Sequence, residues 1–109
     1  MGKITASPVV DQARLLLNLL RNTSDAETIH HADDLLSYFH ALRDHHGVAN
    51  SRSPRFSGST FHILEEVIYQ LESDPDATLH NDGFKELIVL VLEDIALHRI
   101  EVTDKSIGK

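Results

Sequence analysis

From Phe84 to Ile100 the chain is apolar almost throughout, and the run Leu87-Ile88-Val89-Leu90-Val91-Leu92 leaves almost no polar face in its middle. Turned at the helical step, Phe84, Leu87, Ile88, Val91, Leu92 and Ile95 fall on one side. Val89, Leu90, Ala96, Leu97 and Ile100 fall on the other, interrupted by Glu86 and Glu93. A helix apolar on both sides is either sandwiched inside a bundle or shared with another molecule. In a chain with four helices the shared face is the favoured reading. Val89, Leu90, Leu97 and Ile100 are therefore the expected surface of a symmetric homodimer.

This helix is the second arm of a predicted hairpin over Ser59–Glu101. In the first arm, Phe61, Ile63, Leu64, Val67, Ile68 and Leu71 lie on one half of the wheel. His62, Glu65, Glu66, Tyr69, Gln70 and Glu72 lie on the other, the pattern of a helix docked on a core. Asp74-Pro75-Asp76 stops it, because Pro has no N–H to continue the ladder and biases the residue before it away from the α region. The joint between the arms reads as a short acidic turn.

Earlier in the chain, Ser7-Pro8 is a helix start, with Ser as N-cap and Pro at the first helical position. Val9, Val10, Ala13, Leu16, Leu17 and Leu20 recur at helical spacing up to Asn22. Ser24-Asp25-Ala26-Glu27 fits a capping box and opens a second helix, with Ile29, Ala32, Leu35, Leu36, Phe39 and Leu42 on one stripe. Gly47 then suits the residue just past its end. The spacing thus predicts an all-α domain spanning 1–109, a four-helix bundle with helices over 8–22, 25–46, 60–73 and 80–100. Residues 1–6 and 102–109 carry no pattern and read as flexible tails. Residues 47–59 have no period and form a loop longer than most helix–helix connections, hence mobile or functional. That loop holds Arg52, Arg55 and the isolated Phe56, which make it a candidate partner-docking segment.

The totals narrow the function. At 109 residues there is room for one core, and stability is expected to be marginal enough for a second subunit to help. There is no cysteine, so no disulfide, thiolate nucleophile or Cys-ligated zinc, which suits the cytoplasm. No signal-peptide h-region appears, and no stretch approaches the ~20 apolar residues of a membrane span. The formal charge of −7 argues against nucleic acid, whose phosphates demand clustered Lys and Arg.

Eight histidines are the most unusual feature of the composition. Glu27-x-x-His30 has the spacing of di-iron bundles, but those need a second such motif, which this chain lacks. Phosphotransfer from a helical His would need nearby Lys or Arg, whereas His30, His31 and His40 neighbour Asp33, Asp34 and Asp44. The plainer reading pairs His30 with Asp34, His40 with Asp44, His62 with Glu66 and Asp94 with His98 at (i, i+4). Such pairs contribute tenths of a kcal/mol each and make surface charge sensitive between about pH 5 and 7. No convergent acid–base or nucleophilic set is predicted, and no cofactor or metal.

The hairpin resembles the small enterobacterial biofilm-development and acid-resistance regulators of the YmgB/AriR type. The matching positions are Ile63, Val67, Ile68, Leu71-Glu72 and Asp74, then Leu87, Ile88, Leu90 and Leu92-Glu93. The resemblance is confined to the hairpin. It implies a bacterial, dimeric, all-helical connector acting on a signalling or transcription protein, with no catalytic residue to carry over. Small bacteriocin-immunity bundles share the length and helix count. The expectation is a regulatory adaptor that works by protein–protein contact; the alternatives are an immunity-type bundle, or a His-based metal or phosphotransfer protein.

Overall fold

A computed structural model describes residues 7–23 and 25–104. Ser24, the proposed capping-box serine, the expected tail at 1–6 and the 105–109 part of the expected 102–109 tail lie outside the described residues. The chain is all-α apart from one small strand pair, with four long helices: α1 (Ser7–Asn22), α3 (Ala32–His45), α4 (Thr60–Ser73) and α6 (Asp82–Ala96). Two short helices, α2 (Asp25–Thr28) and α5 (Pro75–His80), precede α3 and α6.

The second predicted helix is not continuous. A 3-10 turn over Ile29–His31 separates α2 from α3. Thr28, Ile29, His30 and His31 are four consecutive residues of modest helix propensity. Ala32-Asp33-Asp34 then supplies a fresh N-terminus with two carboxylates in its first turn, where the helix dipole favours them.

Gly47 does not end α3. It sits in β1 (His46–Val48), which pairs antiparallel with β2 (Val102–Asp104) in the register His46↔Asp104, Gly47↔Thr103, Val48↔Val102. A Cβ on Gly47 would lie 3.0 Å from Thr103 Oγ1, so glycine allows the two strands to close here. The expected tail therefore begins as a strand, with Val102 wholly buried. His46 Nδ1 also comes within 3.0 Å of Asp104 Oδ1, though out of line for a hydrogen bond.

The expected acidic turn is a helix. Asp74 accepts a hydrogen bond from Ala77 N at 3.1 Å and Pro75 occupies the first helical position. This is the same start signal that Ser-Pro gives α1, so Asp-Pro closes α4 and opens α5 at once. Thr78 Oγ1 donates to Gln70 O at 2.9 Å and folds α5 back on α4. Asn81 then caps α6 by accepting from Phe84 N at 3.0 Å.

With α5 inserted, the two arms of the hairpin are not each other's main partners. α4 packs on α3 and α6 packs on α1, while α5 touches both arms. α1 and α6 run in opposite directions: Arg21 reaches Glu93, and Arg14, about two turns earlier, donates to the Ala96 carbonyl. Buried Tyr38 joins α3 to α1 by donating to Val9 O at 2.9 Å, and burial pushes its phenol pKa well up, so it stays a donor. One apolar cluster runs through all four long helices and includes Leu16, Phe39, Ile68 and Leu92. Phe61, expected to face inward, is exposed at the start of α4.

Candidate functional site

α6 stops at Ala96, a turn short of the predicted end, because His98 adopts the left-handed conformation with φ 60°. His98 N donates to Ile95 O at 3.1 Å and Arg99 N to Asp94 O at 2.7 Å. These are the paired bonds of a Schellman motif, with His98 where glycine is usual. The apolar contact that commonly accompanies the motif is replaced by charge, with Arg99 Nη1 lying 3.6 Å from Asp94 Oδ1.

Onto this helix end folds the 49–59 segment, which is tied down rather than free. Ala49 N donates to Glu101 O and Arg52 N to Arg99 O, each at 3.0 Å, continuing the strand pairing past β1. Asn50 Oδ1 accepts from Thr60 N at 3.1 Å and Thr60 Oγ1 accepts from Ser51 N at 3.0 Å, which fastens the segment to the start of α4. The Asn50 bond satisfies one of the N–H groups that the first turn of α4 leaves without an intrahelical partner. Pro54 sits inside a turn closed by Phe56 N donating to Ser53 O at 3.1 Å. Phe56 itself packs partly buried against the core.

At the centre lies Asp94, a carboxylate on α6 with no solvent exposure. Ser51 Oγ donates to its Oδ2 at 2.6 Å and Arg55 Nη2 to its Oδ1 at 3.3 Å. A buried charge of this kind persists only when it is paired and hydrogen-bonded, and the segment supplies both. Beside it, Glu93 accepts from Arg55 at 2.7 Å and from Arg21 of α1 at 2.9 Å. The Arg55 hydrogen bond, then that of Arg21, holds the Glu93 carboxyl below its usual range.

The result is an open cleft of about 460 Å³ lined by Arg52, Ser53, Pro54, Arg55, Glu93, Leu97 and Arg99. Arg52 donates through Nη2 to the His98 carbonyl and meets no carboxylate among the described residues. Chemically the cleft offers guanidinium groups held in place, with an apolar leucine beside them. The arrangement suits recognition of planar or tetrahedral oxyanions.

Of the sequence-predicted residues, the cleft gathers Arg52, Arg55 and Leu97. Phe56 does not line it and packs partly buried against the core. Of the expected dimer face, Ile100 is 1% exposed and belongs to the core, Val89 and Leu90 are half-buried, and Leu97 is 52% exposed. The Schellman turn is the reason, since it rotates Ile100 off the helical wheel. Arg99 and Asp94 were not anticipated as site residues. Their only local signal is charge at (i, i+5), a spacing that no regular helix brings together.

The histidine pairs are also redistributed. His40 stays near Asp44 at 3.8 Å, but its closer partner is Glu72 of α4 at 2.7 Å. Arg43 can only donate, so His40 Nδ1 accepts from it and Nε2–H donates to Glu72. His62 meets Glu65 at 3.5 Å rather than Glu66, and His80 meets Asp76 at 3.0 Å. His98 is off the helix and Asp94 belongs to the arginines. Among the described residues no group of three His, Asp or Glu side chains is placed to hold a metal ion, and Glu27 and His30 fall on either side of the change from α to 3-10 geometry. No described helix is long and apolar enough to cross a membrane.

No protein-family model, curated protein or solved structure matches the chain.

Proposed function

We propose that the protein is a non-catalytic regulatory adaptor that docks another protein on the face where the 49–59 segment meets the end of α6. The observation that carries this reading is the cleft itself: three of the chain's ten Lys and Arg residues surround one opening on a molecule of net charge −7. Such a local reversal of sign steers an acidic partner to one place and repels it elsewhere. Leu97 supplies the apolar contact that rim charges alone lack. The hairpin's resemblance to small helical connectors points the same way. The test is affinity capture from the native host with the wild type and an Arg52→Glu/Leu97→Glu double variant, with circular dichroism as a control on folding. Neither side chain contacts Asp94, so the fold should persist. The expected result is a partner retained in near-stoichiometric amount by the wild type and lost by the variant. Recovery of the same proteins by both overturns the reading.

A further inference from the structure

Arg52, Arg55 and Arg99 line the cleft from three directions of the chain: the start of the loop, its proline turn, and the residue after the left-handed His98. Each guanidinium is pinned through one edge only. Arg55 Nη2 serves Glu93 and Asp94, Arg99 Nη1 faces Asp94, and Arg52 Nη2 serves the His98 carbonyl. The other N–H groups of all three have no partner among the described residues, and the Arg55 and Arg99 side chains are 46% and 44% exposed. A guanidinium carries five donors in a rigid fork, so each retains an unused edge for a ligand.

We propose that this cleft binds a single phosphoryl group, an inference that rests on the docking reading for its biological source but not for its chemistry. Three forks around one space match a group with three terminal oxygens and nearly two negative charges, whereas a carboxylate offers two oxygens and one charge. The charge count agrees: three arginines against Glu93 and Asp94 leave one positive charge, and Arg21 on Glu93 adds another. The donors are also preorganised. Asp94, Ser51 and the strand-like pairing order the segment without ligand, so binding does not bear the cost of ordering a loop. The left-handed backbone at His98, a strained choice for a residue with a Cβ, places its carbonyl on Arg52, as expected where strain is kept for a purpose. Polyanions such as nucleic acid or an anionic membrane present many charges to a molecule of net charge −7, so a lone phosphoryl group is the ligand favoured here.

The test is a titration followed by amide chemical shifts, with inorganic phosphate, sodium glutamate, and a serine peptide in phosphorylated and unphosphorylated forms. Phosphate should shift the amides of 51–56 and 97–100, and glutamate should do so much more weakly. Arg52→Gln, which removes a cleft donor but leaves the Asp94 cluster intact, should weaken phosphate binding by about tenfold or more. Arg43→Gln, a loss of charge on α3, should leave it unchanged. Tighter binding of the phosphopeptide than of phosphate assigns the site to a modified protein partner. Equal or weaker peptide binding upholds the phosphoryl site and assigns it to a small molecule. Shifts that scatter over the surface, that glutamate reproduces, or that Arg52→Gln leaves unaltered overturn the inference. If phosphate fails while the Arg52→Glu/Leu97→Glu variant still loses its captured partner, the docking reading stands and the phosphoryl site falls.

Discussion

The seam between α3 and α4 and the junction between α6 and the 49–59 segment are built from opposite materials. Leu35, Phe39 and Leu42 face Leu64, Val67, Ile68 and Leu71 across the first, all with negligible exposure. Polar contact across it is confined to the rim, where His40 donates to Glu72 and Arg43 lies in the field of the same carboxylate. At the second, a buried carboxylate, a serine hydroxyl and two arginines do the joining. Apolar contacts are non-directional and tolerate small shifts, so the seam secures the fold. Charged hydrogen bonds have strict geometry and a high cost when broken, so the junction fixes where particular side chains point. The molecule thus separates holding together from presenting a surface.

The largest effect is expected at Ile100. It was expected on the same outer face as Leu97, yet the two residues have opposite surroundings. Ile100→Ala should cost about 2–4 kcal/mol in urea unfolding. Leu97→Ala should stay within about 0.5 kcal/mol. Similar costs for both would mean that α6 continues through Ile100 as a regular helix.

A smaller loss is expected at the junction. Asp94→Asn keeps the shape but removes the charge that Arg55 and Arg99 face, and should cost about 2 kcal/mol. The midpoint of unfolding should move without a change in slope, because the α3–α4 seam is untouched.

His98→Gly should act in the other direction. Glycine adopts φ 60° without the Cβ penalty, so the variant should gain about 1 kcal/mol. A loss instead would show that the imidazole makes contacts that outweigh the strain.

The smallest effect concerns acid. Glu93 has a carboxyl held below its usual value of 4.5 by Arg55 and Arg21. Its contribution is therefore fully present above that value and is lost as pH falls through the depressed folded pKa. Glu93→Gln should flatten the fall in stability below pH 4.5, by under about 1 kcal/mol since both arginines are half exposed. Parallel stability–pH curves for the two proteins would show the ion pairs to be without weight.

What was legible in the sequence follows the same division. The bounds of α4 are those its apolar period and its flanking Ser59 and Asp74 imply, because each signal is local. The four long helices of an all-α fold were read in the same way. The end of α6 was misplaced because the residue past its cap is His98, and no glycine announces the turn. Once the helix is ended there, Ile100 leaves the outer stripe and enters the core. β1 and β2 are three residues each, too short to show alternation, and their pairing spans more than fifty residues of chain. Arg52 and Arg55 were picked out by composition alone. Arg99 and Asp94 were not, because a buried carboxylate is recognisable only when the hydroxyl and guanidinium groups around it come from distant segments. Its apparent helical partner, His98, pointed the wrong way.

Asp94 assembles the cleft in the free protein. Amide hydrogen exchange at Ser51 and Arg52, whose N–H groups donate to Thr60 Oγ1 and Arg99 O, tests it most directly. Both amides should be protected in the wild type and lose most of that protection in Asp94→Asn, while the amides of α3 and α4 exchange slowly in both proteins. Wild-type exchange at Ser51 and Arg52 as fast as in an unstructured chain, or protection unchanged by Asp94→Asn, would contradict it.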